Sequence, residues 1–140
     1  MSPEPIRRSA IDLDMSPRFT GTSTVVGSPA LAAETIIASI TLATFGDMVL
    51  TSGVRLSCFA AFTVGTSGVS ATMRVRQTDV NGTVVQSTGA LTVAAGNLYA
   101  PTMVCFDAQP GKATYVLTLQ IGSGAATSTV SAVHMSATWV

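Results

Sequence analysis

"QPGKATYVLTLQIGSG", residues 109–124, reads as turn, strand, turn. Pro110 presets φ and Gly111 tolerates any φ, so the pair starts a strand after a reversal, and the glycines at 122 and 124 end it. Side chains alternate across a strand. One face therefore carries Tyr115, Leu117, Leu119 and Ile121, and the other Thr114, Val116, Thr118 and Gln120. The first face is core. The second is uncharged and only mildly polar, so what it looks at is an open question with consequences for assembly.

The same grammar fills residues 21–140. Val, Ile, Thr, Ala, Ser and Gly dominate there and good helix formers are scarce, which favours pleated strands over helices. Expected strands are 22–26, 35–42, 48–64, 69–77, 83–88, 98–106, 113–121 and 127–140, the long third one broken or bulged near Ser52-Gly53. Residues 69–77 alternate cleanly, with Val69, Ala71, Met73 and Val75 opposite Ser70, Thr72, Arg74 and Arg76. Asn81-Gly82 predicts a tight hairpin with positive φ at both residues. The terminal strand carries Trp139 near its end, so it must lie inside a sheet or at an interface, because a bare apolar edge aggregates. Eight or so strands with turns every 8–15 residues predict an all-β antiparallel sandwich or barrel.

The 140-residue chain fits one domain of ordinary size. Only 10% of its residues are charged, against 47% hydrophobic, and its formal net charge is zero. Charge protects a soluble monomer from self-association, so either other protein covers much of this surface or serine and threonine alone keep it soluble. With no basic excess, no nucleic-acid partner is expected. No apolar run is long enough to span a membrane, and the start, "MSPEPIRRSAIDLD", lacks a signal peptide's apolar core; an unprocessed cytosolic product is the expectation.

The charges cluster. Glu4, Arg7, Arg8, Asp12, Asp14 and Arg18 fall in the first 18 residues, and the rest of the chain holds eight more. With Pro3, Pro5 and Pro17 alongside, residues 1–20 read as an extended arm outside the 21–140 domain. It is either a disordered tail or an arm that orders on a partner, anchored by Ile6, Ile11 and Leu13 and clamped by Arg7 and Arg8.

The sequence offers little chemistry. His134, the only histidine, sits in strand text without a nucleophile elbow. Cys58 and Cys105 are too far apart for a metal motif and lie in apolar strands, as buried free thiols or a cross-sheet disulfide. Glu34, Asp47, Asp79 and Asp107 are the domain's carboxylates, and turn preference accounts for Asp79 and Asp107. The aromatics are dispersed and mostly at expected core positions. The expectations are no enzyme activity, no catalytic residue, no metal and no cofactor.

Residues 107–140 also resemble a known group. Pro110-Gly111, then Thr114, Tyr115, Leu117, Leu119 and Ile121, a Gly/Ser/Thr loop over 122–128 and a closing strand over 130–140 resemble the last strands of jelly-roll domains in bacteriophage structural proteins, both fibre heads and capsid decoration (cement) proteins. The architecture is similar to tumour-necrosis-factor-like trimers. The resemblance implies a homotrimeric jelly-roll β-sandwich on a virion surface, made in the host cytoplasm, with the major capsid protein as partner. The absence of a repetitive shaft favours decoration over fibre tip. In that setting Ile6, Arg7, Arg8, Ile11 and Leu13 would bind the shell, and Thr114, Val116, Thr118 and Gln120 would form the trimer interface. The alternative is a trimeric receptor- or glycan-binding head that recognises its ligand through loops 65–68, 79–82 and 122–127.

Overall fold

The computed structural model describes residues 18–20, 22–23, 27, 31–42, 53–108, 114–122 and 127–139. All its regular structure there is strand: β1 (Arg18–Thr20), β2 (Thr22–Ser23), β3 (Thr35–Thr41), β4 (Val54–Val64), β5 (Val69–Gln77), β6 (Val84–Ser87), β7 (Leu91–Val93), β8 (Leu98–Tyr99), β9 (Thr102–Asp107), β10 (Thr114–Ile121) and β11 (Ser128–Trp139). Every pairing is antiparallel.

Two sheets result. Sheet A runs β1-β11-β4, with β8 and β9 both on the far side of β4. Sheet B runs β2-β3-β10-β5, with β6 and β7 both on the far side of β5. Each of these broken pairs is one strand interrupted in the middle. At Pro101, which has no N–H to give, the carbonyl still accepts from the Ala60 amide. At Thr88, backbone and hydroxyl both hold Met73, before Gly89 turns the chain at φ +72°. Counted this way sheet A has three long strands and the short β1, and sheet B four long strands and the short β2. Between β3 and β11 the chain crosses from one sheet to the other at every connection except the β5–β6 hairpin, which stays in sheet B, and this is an antiparallel jelly roll.

The core lies between the sheets. Ile37, Leu56, Phe62, Met73, Tyr115, Leu117, Leu119 and Met135 are fully buried in it. The Tyr115-Leu117-Leu119-Ile121 face of β10 points inward, as the alternation predicts, and so do Ala71, Met73 and Val75 of β5. β11 lies between β1 and β4, so the strand carrying Trp139 is interior to its sheet, and Gly27 extends the cover by bridging Val130. β1 takes Arg18–Thr20 into sheet A; the rest of the arm, residues 1–17, lies outside the described residues.

Two local expectations change. Gly53, at φ +118°, does mark the start of β4, but the residues proposed as strand before it, 48–52, lie outside the described ones. The β5–β6 connection is not a two-residue hairpin turn. Positive φ falls on Thr78, not on Asn81 or Gly82, because Asp79 organises the loop. Its carboxylate accepts from the Asn81 amide and its carbonyl from the Gly82 amide. Gly82 is needed for space instead, since a Cβ there would run into the Gln77 carbonyl.

Candidate functional site

Three regions of the sandwich could carry function: the loop ends, the outer face of sheet B and the outer face of sheet A.

The loops separate. The turn at 65–68 meets the end of the 122–127 loop, where the Gly65 amide donates to the Thr127 carbonyl, and meets the 94–97 turn, where the Ala95 amide donates to Ser67 Oγ. A shallow depression of about 190 Å³ lies there between Thr63, Gly65, Gly96, Thr127 and Thr129. The 78–82 loop follows β5 at the opposite end. The three loops proposed for ligand recognition are therefore not one site.

The outer face of sheet B is closed on itself. Glu34, just before β3, reaches over β10 and β5. Arg76 holds both its oxygens, Nε to Oε2 at 2.5 Å and Nη2 to Oε1 at 2.9 Å. Arg74 Nη1 donates to Oε1 at 2.8 Å and to Gln120 at 3.2 Å, and the Thr118 hydroxyl donates to Oε2 at 2.7 Å. Arg76 also caps the Gly82 carbonyl. The Arg76 hydrogen bonds hold the Glu34 carboxyl below its ordinary range, against the opposing effect of partial burial. Thr114, Val116, Thr118 and Gln120 all lie on this face, but the chain itself already buries Val116 (2% exposed) and Thr118 (0%). Only Thr114 and Gln120 keep surface. A charged cluster next to these residues was not anticipated, because Glu34 is distant in sequence from Arg74 and Arg76.

The outer face of sheet A is open. The registers of β11, β4 and β9 line its side chains in rows: Thr138, Arg55 and Phe106; then Ser136, Ser57 and Val104; then His134, Phe59 and Thr102. Arg55 is the one charge in these rows. Along the β8–β9 edge, Leu98, Val104 and Phe106 are 64%, 67% and 53% exposed. The Phe106 ring lies against Gly53, where a Cβ would sit 2.7 Å from Cζ, so the glycine gives the aromatic a flat seat.

The sequence expectation put most aromatics in the core; Phe106 is the correction. "TMVCFD" is apolar on both faces, so its alternation cannot choose a side. Register with β4 chooses it, pairing Leu56 with Cys105 and turning Met103 and Cys105 inward. Asp107 is also not a turn residue. It ends β9 buried, accepting from the Tyr115 hydroxyl and from Gln77, each at 2.7 Å, and so pins sheet A to sheet B. Burial first, then this bond, pushes the Tyr115 phenol above its ordinary pKa.

Cys58 and Cys105 are free and buried, and desolvation raises them to about 12 and about 11, so both stay protonated and unreactive at neutral pH. His134 is exposed on sheet A. Among the described residues no group of three or more His, Cys, Asp or Glu side chains is placed to hold a metal. Glu34 is tied up on the outer face of sheet B and Asp107 in the interior, so the two do not form a catalytic pair. Asp47 and the arm anchors Ile6, Arg7, Arg8, Ile11 and Leu13 lie outside the described residues.

With this geometry in hand, the fold can be compared with known structures. The chain is similar to the protein of T=1 particles derived from infectious bursal virus (TM-score 0.65, 10% identity, 89% of this chain and 32% of that one). It is similar to the Gx strain of infectious bursal disease virus (0.64, 12%, 89% and 32%) and to that virus's VP2 subviral particle (0.62, 10%, 89% and 33%). The shared feature is the fold, an antiparallel jelly-roll β-sandwich. This chain spans about a third of the length of those proteins. No protein-family model matches the chain, and no curated protein matches it in sequence.

Proposed function

We propose that the chain is a structural protein of a virus particle, a decoration or cement protein that binds the assembled shell through the outer face of sheet A. The observation that carries this reading is that face itself. Across β11, β4 and β9 its outward rows hold one charge, Arg55, with Arg18 of β1 level with Thr138 at the far edge, and three large apolar side chains project along the β8–β9 edge. Depleted charge with exposed aromatic and aliphatic anchors is the composition of an interface core rather than of free surface. The likeness of the fold to capsid jelly rolls is consistent with the reading.

The mechanism is mass action. A protein that binds the assembled shell and not its separated subunits stabilises the shell by the free energy of binding. Copies held together bind with avidity, so each contact can be weak. Three-fold self-association, which the sequence resemblance implies, belongs to the same proposal; on β10 it would draw on Thr114 and Gln120. The arm, with Ile6, Ile11 and Leu13 as anchors and Arg7 and Arg8 as clamps, would add a second grip on the major capsid protein.

Rebinding tests this. Particles stripped of the chain should regain heat resistance when the purified full chain is added, and regain less with a chain lacking residues 2–20. Particles that neither take up the chain nor gain resistance would overturn the proposal. Full occupancy by the truncated chain would remove the arm from it and leave the sheet surface.

A further inference from the structure

The edge of sheet A has a feature that binding to a shell through the face does not use. β9 pairs with β4 on one side, and among the described residues no strand pairs with its other side. A sheet edge exposes a row of main-chain donors and acceptors, and folded proteins usually protect it with lysine, proline or a bulge along its length. From Thr102 to Phe106 this edge has none of these. Its one proline, Pro101, stands just before the strand and marks where a ladder would begin. Its outward side chains, Thr102, Val104 and Phe106, are uncharged and exposed.

The geometry points to a second copy of this chain as the occupant, with β9 pairing antiparallel to β9 of its partner about a two-fold axis through Val104. Three observations favour a copy over another strand. First, the ridge is self-complementary. With Val104 opposite itself, Thr102 stands opposite Phe106 of the other copy, all on one face, which gives a large side chain a small neighbour at each end. Second, like charges are kept apart. Arg55 is level with Phe106 on the neighbouring strand. At about 3.3 Å per residue and about 4.8 Å per strand, the two Arg55 positions would be roughly 20 Å apart, beyond the screening length of about 8–10 Å. Third, the edge is rigid before pairing, because Gly53 seats Phe106 and Asp107 is locked to Tyr115 and Gln77. The product would be one continuous sheet with a single outward face built from both copies. This pairing goes beyond the decoration reading and does not depend on it, since it can be measured on the isolated chain.

Cysteine cross-linking of the full chain tests the register. Val104→Cys should form a disulfide-linked dimer under mild oxidation, because only the central position faces its own copy. Thr102→Cys should not. The native thiols will not compete, since Cys58 and Cys105 are buried and held protonated at neutral pH. Adding Ser57→Lys, one strand in from the edge, should leave the Val104→Cys dimer in place, because pairing uses the edge and not the face. Val104→Lys should abolish self-association in sedimentation and leave the circular dichroism spectrum unchanged. Equal cross-linking at 102 and 104, no cross-link at 104, or a Val104→Lys chain that associates like the parent would each overturn the inference.

Discussion

The two outer faces of this sandwich are built from similar strands and finished in opposite ways. Sheet B satisfies its own polar groups. Glu34 collects two arginines and the Thr118 hydroxyl, and both Val116 and Thr118 on this face are buried. Sheet A holds one charge, Arg55, in the outward rows of β11, β4 and β9, with Arg18 of β1 at the far edge, and leaves Leu98, Val104 and Phe106 exposed. A face whose charges are paired internally gains little from a partner, because any partner must compete with bonds already made. A face of hydroxyls and bare apolar groups incurs little desolvation on contact and gains from burying its anchors. The difference is the reason for placing the proposed assembly surface on sheet A and treating sheet B as the self-contained side.

The comparison predicts unequal costs for substitutions. The largest is Val116→Lys. A position 2% exposed cannot hydrate an ammonium, so the expected loss is roughly 3–5 kcal/mol, as for an uncompensated buried charge, read from urea unfolding. A loss below about 0.5 kcal/mol, the size of an ordinary surface change, would mean that this face is open after all. Glu34→Gln comes next, at about 1–3 kcal/mol, because it leaves Arg74 and Arg76 without their carboxylate. Its pH dependence has a definite sign. The Arg76 hydrogen bonds hold the folded carboxyl below the ordinary carboxylate range, so its contribution is complete above that range and fades as the pH falls through the folded value. The gap between parent and Glu34→Gln should therefore be full at neutral pH and shrink on acidification. A gap that is constant with pH would show that the ion pairs add nothing.

Most of the fold was legible because strand grammar is local. Alternation over 69–77 and 114–121 gave the inward faces, and Trp139 near the end of β11 demanded an interior position, which β1 and Gly27 provide on one side and β4 on the other. Strand order was not legible, since it depends on contacts between distant residues. The working surface was legible only in outline. Low charge left two alternatives, a covered face or a surface kept soluble by serine and threonine, and the β10 face chosen as the covered one carries Glu34 across a separation of some forty residues from Arg74 and Arg76. The face that is open owes its character to "TMVCFD", where both sides are apolar and only pairing with β4 decides which one turns outward. Asp107 was misread for the same reason: a carboxylate beside a turn signal looks like a turn residue until Tyr115 and Gln77 converge on it.

One matched pair of substitutions addresses the assignment most directly. Ser57 and Ser70 are both exposed strand serines, the first on the outer face of sheet A and the second near the start of β5 on that of sheet B. Ser57→Lys and Ser70→Lys add the same charge to each face with little effect on the fold. Occupancy on reconstituted particles should collapse for Ser57→Lys and stay at the parental level for Ser70→Lys. Equal occupancy for the two, or loss with Ser70→Lys alone, would contradict the assignment of sheet A as the assembly surface.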